Sequence, residues 1–164
     1  MSGRALFTLL VLILVPILLI GAGPPAGKTD TTRTDVQAFV KAYVEAANKA
    51  DVTAMMEMYS RKPGVTAVSD GEITRGWDAI RTGSDQMIGK EGSYKISVGS
   101  IDVTPMGSSF ALAVAPYTVT VVTEKGSVQL PSAMSLVLEK FESKWTIVHD
   151  HMSTKAQEYA QPGD

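Results

Sequence analysis

Both histidines of this chain stand in one short run, Trp145-Thr146-Ile147-Val148-His149-Asp150-His151-Met152-Ser153, and the chain has no cysteine. Imidazole gains or loses its proton closest to neutral pH, so His151, with His149 beside it, is the first candidate for general acid–base work or for holding a ligand's polar group. The run reads as a strand, where residues two apart share a face. His149 and His151 then point the same way as Ile147 and Ser153, while Asp150 points opposite with Val148 and Met152. Spaced about 7 Å along the strand, the two rings hold a metal ion only with ligands from elsewhere. No second His or Cys cluster exists to supply them, so no metal is expected. A triad on Ser153 needs a His and an acid converging from separate elements, and Asp150 lies on the wrong face to orient either ring. The plainer reading is a histidine satisfied within the sheet or at an interface.

The remaining candidates are apolar or amphipathic. Tyr43, Met55, Tyr59, Trp77, Met87 and Tyr117 fall on expected inward faces, and a cavity lined by them would suit a flat or flexible apolar molecule. The same residues would equally fill a closed core. Glycine-rich phosphate motifs are missing, so no nucleotide or other cofactor is expected. The net charge of −2, with Lys and Arg scattered, lacks the basic footprint of a nucleic-acid binder.

The elements that must position these side chains begin after residue 33. Arg4 is followed by an apolar run, residues 5 to 23, of the length that nearly crosses a bilayer core as a helix. Residues 1–23 therefore read as a membrane anchor or signal peptide. Pro24-Pro25 would hinder cleavage beside Gly21-Ala22-Gly23, and Arg4 on the short side places the domain outside the cytoplasm. The expected product is exported, either tethered to the membrane through this segment alone or secreted if it is cleaved. Residues 24–33, rich in Pro, Gly and Thr, read as a linker, 34–156 as one domain, and 157–164 as a disordered tail.

Thr34 and Gln37 match a capping box, and Val36, Phe39, Val40, Tyr43, Val44 and Ala47 follow with helical spacing. Asp51 can cap a shorter helix whose stripe is Val52, Met55, Met56 and Tyr59. Pro63-Gly64 stops it, and Asp70-Gly71 marks a tight hairpin between 65–69 and 72–75. A third helix opens at Gly76, with Trp77, Ile80, Ser84, Met87 and Ile88 on one side and Gly89 near its end. From Tyr94 the period becomes two, but Ile101 and Val103 are out of phase with Tyr94, Ile96 and Val98, predicting a bulge at Gly99-Ser100. Long strands follow over 110–123, 128–141 and the histidine run. Helices first and strands last is an α+β layout, with three helices on the concave side of a strongly curved antiparallel sheet.

In that order, Asn48-Lys49-Ala50-Asp51, Met58-Tyr59-Ser60, Thr74-Arg75-Gly76-Trp77-Asp78-Ala79-Ile80 and Trp145 through Ser153 resemble the landmarks of SnoaL-like domains of the nuclear transport factor 2-like superfamily. The resemblance implies a conical α+β barrel around a deep apolar cavity, and a homodimer through the outer face of the sheet. It does not imply one activity. Ketosteroid isomerase, a relative by fold, uses a helix-one tyrosine, a carboxylate base and an acid donor. The tyrosine falls on Tyr43. The base falls near Ala67 to Ser69, with no carboxylate unless Asp70 is recruited, and the acid donor within Met134 to Leu138, with none. Three functions therefore stand: binding of a small apolar molecule in the cone; a cofactor-independent isomerase, cyclase or dehydratase using His151 and Tyr43; and an oligomerisation module such as the association domain of calmodulin-dependent kinase.

Overall fold

A computed structural model describes residues 26–88, 94–124 and 126–155. The apolar segment 1–23, the tail 157–164 and Gly89 lie outside the described residues. Among those described, no helix is long and apolar enough to cross a membrane.

Three helices, α1 (Ala26–Asn48), α2 (Val52–Glu57) and α3 (Trp77–Ile88), enclose the hairpin β1 (Thr66–Ser69) and β2 (Glu72–Arg75) in the chain order; β3 (Tyr94–Val98), β4 (Asp102–Met106), β5 (Phe110–Thr123), β6 (Gly126–Phe141) and β7 (Lys144–Thr154) follow. Helix α1 starts at Ala26 rather than Thr34, so most of the expected linker is helical. Gln37 does not reach back to cap it; its Nε2 donates to the Ile101 carbonyl at 3.0 Å. Asp51 does cap α2, accepting from the Ala54 N–H at 2.9 Å. Asp70 and Gly71, at φ 47° and 95°, make the turn that a Gly-containing pair favours.

The sheet runs β2-β1-β7-β6-β5-β3, with β4 also paired to β5. Two expectations are corrected. The sheet is mixed, because β1 lies parallel to β7, with Ala67 opposite Asp150. It is curved but unclosed, ending at β2 and β3, so it is not a complete barrel. Only consecutive strands were constrained to be antiparallel by short connections; β1 and β7 are joined through most of the domain, which leaves their relative direction free.

The predicted bulge is present. Val98 opposes Tyr117 and Asp102 opposes Val114, so the outer strand carries one residue more than β5 over this interval. Gly99 donates to the Pro116 carbonyl at 2.8 Å, and a Cβ there would lie 3.1 Å from the proline ring. Pro116 thus sits where the ladder is interrupted and its missing N–H costs little.

Helices and sheet bury one core. Ala111, Ala113 and Ala115 alternate along β5 under α1, and their small side chains let the helix approach closely. Met134, Leu136, Leu138 and Ile147 continue the inner face, against Val36, Val40 and Val44 of α1. Fully burying each of the larger side chains contributes about 1.5–3 kcal/mol. Asn48 fastens the end of α1 to edge strand β3, donating to the Ile96 carbonyl at 2.9 Å and accepting from its N–H at 2.7 Å.

Candidate functional site

Strand β7 does not alternate as its sequence suggests. Leu138 pairs with Ile147 and Val137 with His149, so Val148 is an extra residue and the phase slips there. Ile147 and Asp150 both face inward, at 0% and 4% exposure, whereas His151 is exposed and His149 half-buried on the outer surface. The expectation that His149 and His151 share a face with Ile147 is therefore corrected. Both point away from the core because a bulge adds one residue between Ile147 and His149. The Nδ1 of His149 is 2.7 Å from the Thr66 hydroxyl on β1.

What turns inward is Asp150, which the sequence reading had set aside. Its carboxylate accepts from the Tyr59 hydroxyl, and that oxygen lies 3.0 Å from the Tyr43 hydroxyl. Each residue is held by a different element. Tyr43 belongs to the buried stripe of α1. Tyr59 follows α2 and is clamped on β7 by two backbone bonds of 2.8 Å, Ser60 N–H to the Ile147 carbonyl and Ile147 N–H to the Met58 carbonyl. The Tyr43 and Tyr59 rings meet edge to face, centroids 6.1 Å apart at 65°. Three residues along β7 from that clamp, Asp150 completes the chain of oxygens.

The electrostatics follow from burial. Removal from water pushes the Asp150 carboxyl above the usual carboxylate range, while the Tyr59 hydrogen bond and then the charge of His149 pull it back. Burial, reinforced by Asp150, raises the Tyr43 hydroxyl far above the ordinary phenol range. Tyr59 is raised too, by burial first and then by Tyr43 and Asp150. Among the described residues no Lys or Arg forms an ion pair with Asp150. The triad is a set of proton-holding oxygens in an apolar core, suited to donating or accepting a hydrogen bond and to moving a proton.

Of the other candidates, Tyr117 is buried on the same inner face, beside Ser132, and its hydroxyl is raised by burial. Met55 is buried in the core. Trp77 is half-buried; its indole N–H donates to the Met56 carbonyl at 2.9 Å, and the Arg61 guanidinium lies 3.7 Å from its ring centroid. Met87 is a second correction, being 67% exposed. At about 100° per residue it sits at the margin of the arc centred on Ser84, in the last turn, where no described element covers it. Among the described residues no three His, Asp or Glu side chains converge as a metal site. A shallow depression of about 290 Å³ lies further along the sheet, lined by Ser132, Thr154 and Lys155 among others, and does not touch the triad.

A buried carboxyl does stand one strand over from β1, on β7. Ala67, the first residue of the stretch Ala67 to Ser69 in which the resemblance placed a base, is the parallel partner of Asp150. The signal in the sequence was a lone acid inside an apolar strand. It was readable only with the register of β6.

The family described as SnoaL-like domain matches residues 36–157. None of the curated proteins matches the sequence. Among solved structures, a nuclear transport factor 2-like superfamily protein from Salmonella enterica shares 21% identity, with 82% of this chain and 99% of that one covered and a TM-score of 0.69. A candidate dehydratase of that family from Streptomyces avermitilis shares 14%, covering 79% and 99%, at 0.71. A candidate calcium/calmodulin-dependent kinase II association domain from Xanthomonas campestris shares 17%, covering 75% and 87%, at 0.63. At these identities the likeness is one of fold.

Proposed function

The chain belongs to the SnoaL-like domain family, and from that premise we propose that it binds a small apolar molecule bearing one hydrogen-bonding oxygen, held against the inner face of the sheet with its polar end at Tyr43. The observation that carries this reading is the buried Asp150 carboxyl, hydrogen-bonded to a phenol and ion-paired with no Lys or Arg among the described residues. A carboxyl is costly to bury in a core unless its hydrogen bonds are met, on the order of 1–3 kcal/mol for a neutral polar group and more for a charge. A carboxyl and phenols whose protonation burial displaces, gathered in one place, mark candidate functional sites.

The domain acts outside the cytoplasm, tethered by residues 5–23 or released from them, and pairs with a second copy through the outer sheet face. The apolar leader supports the first statement. Val114 and Ile73, exposed on that face in line with His151, support the second. A second reading, an enzyme of the isomerase, cyclase or dehydratase kind, is favoured by the displaced Asp150 proton, which would replace His151 as acid or base beside Tyr43.

A thermal-shift screen of apolar ketones, phenols and hydrocarbons tests the proposal. A ligand of the inner face raises Tm in proportion to ln(1 + [L]/Kd), and Tyr43→Phe weakens an oxygen-bearing ligand by about tenfold, the loss of one hydrogen bond. Binding that Tyr43→Phe leaves unchanged would overturn it.

A further inference from the structure

Strands β6 and β7 meet in a tip that carries exposed apolar surface. Glu142 and Ser143, at φ 46° and 68°, reverse the chain, so Phe141 stands opposite Lys144 at the end of the sheet. Phe141 is 59% exposed. Two positions back along β6, Glu139 is opposite Phe110, which with its partner Met106 flanks the β4–β5 turn; these two are each 40% exposed. Cations surround the tip. The Lys62 ammonium lies 5.3 Å from the Phe141 ring centroid, and that of Lys140 lies 5.3 Å from the Trp145 centroid. Lys62 and Lys140 are also matched to carboxylates, Glu139 at 2.7 Å and Asp35 at 3.4 Å. Lys144 is exposed and forms no ion pair among the described residues. Apolar side chains gathered on a polar-rimmed surface mark a place of contact. An aromatic ring beside a free ammonium suits the headgroup layer of a bilayer, where the ring rests at the apolar boundary and the cation meets phosphate.

The chain itself brings a bilayer to this end. Lys140 holds Asp35, so the tip lies against α1, and Asp35 is about 14 Å along that helix from Ala26. The apolar run 5–23 stops three residues before Ala26. Gly126, at the other end of β6, is about 50 Å from Phe141. With residues 5–23 in a membrane, the tip is therefore the near end of the domain. Inclined at about 60° to the membrane normal, the stretch of α1 before Asp35 spans only about 7 Å of height, which the tip can bridge.

Resting on the tether by residues 5–23 proposed above, we infer that the β6–β7 tip is a second membrane contact, with Phe141 in the headgroup layer of the same bilayer and Lys144 on a lipid phosphate. Glu142, exposed in the turn between them, meets the outer ammonium groups of a zwitterionic phospholipid. Two points of attachment fix how the domain stands. The β5–β6 hairpin then points away from the membrane.

Because the sequence has no cysteine, a single introduced thiol carries a dye to one chosen place. The full chain is reconstituted in phosphatidylcholine vesicles and labelled through Ser143→Cys at the tip or Gln129→Cys towards the far end of β6, with a headgroup spin-labelled lipid as quencher. The dye at 143 should be quenched and the dye at 129 should not. Phe141→Asp combined with Lys144→Glu, both at exposed positions that the fold tolerates, should abolish the quenching while the protein still floats with the vesicles. Equal quenching at the two positions, or none at the tip of a chain that floats, overturns the contact and leaves the tether standing. A tip dye shielded only when protein is crowded on the vesicles, with no quenching by lipid, shows a second copy covering Phe141 and overturns it too. A chain that does not float removes tether and contact together.

Discussion

Replacing Tyr59 by Phe should cost more than its single lost oxygen suggests. The hydroxyl takes part in two hydrogen bonds, with the Asp150 carboxyl and with Tyr43, and all three residues are at least 95% buried. A neutral hydrogen bond contributes about 1 kcal/mol and one to a charged group about 1.5–3 kcal/mol. With Asp150 ionised, Tyr59→Phe should therefore destabilise by about 2.5–4 kcal/mol, against about 1 kcal/mol for Tyr43→Phe, which loses only the neutral link. With Asp150 protonated both links are neutral, and the Tyr59→Phe cost should shrink to about 2 kcal/mol. The measurement is urea unfolding of the three proteins at an acidic and a mildly alkaline pH, read at constant m. Equal costs for the two tyrosines, or a Tyr59→Phe penalty that does not change with pH, would refute the view that Asp150 is tied to Tyr59 in the folded chain.

Asp150 should also write itself into the pH dependence of stability. Its folded pKa is raised, so from the unfolded value of about 3.9 up to the folded one, the folded chain holds more proton than the unfolded chain. Stability is fully present below that window and declines as pH rises through it; in Asp150→Asn, followed by Tm, this decline should vanish. Ile147→Ala, at 0% exposure between the Tyr59 clamp and β6, should cost about 2–5 kcal/mol in denaturant unfolding. His151→Ala should change stability by no more than about 0.5 kcal/mol, since the side chain is exposed. Its effect belongs instead to self-association, seen as a shift in the sedimentation-derived dimer constant; a substantial stability loss would place His151 in the core after all.

The segments that could be read from sequence are those whose local pattern has one solution. Strand β5 was legible end to end because its fourteen residues hold no glycine and no charge and are rich in valine and threonine, and the bulge at Gly99-Ser100 announced itself as a change of apolar phase. Asp70-Gly71 declared its turn by conformational need. The bulge at Val148 sent no such signal. Ile147, Val148 and Met152 put apolar residues on both parities of the strand, so either face could have been the buried one, and the choice rests with β6, which pairs Val137 with His149 and Leu138 with Ile147. From that single slip came the exchange of roles between the histidines and Asp150. The fold is set by many such contacts and survives one misjudged residue. A site composed of three side chains does not. Met87 escaped for a related reason: helical spacing gives an angle but not the extent of the surface that covers it.

The place of β7 has a consequence for how the molecule comes into being. β7 is the last of the described strands to be made, yet it lies in the middle of the sheet, with the β1–β2 hairpin on one side and β6 on the other. Until it emerges, the hairpin has no sheet to join, Leu136 and Leu138 face no strand on that edge, and Tyr59 has nothing to clamp. Native assembly must then close contacts between residues more than eighty positions apart, such as Thr66 with His149, the kind of distant pairing that slows folding and leaves strand edges bare in the meantime. A nascent chain halted before Lys144 would hold two halves of a sheet with no seam between them.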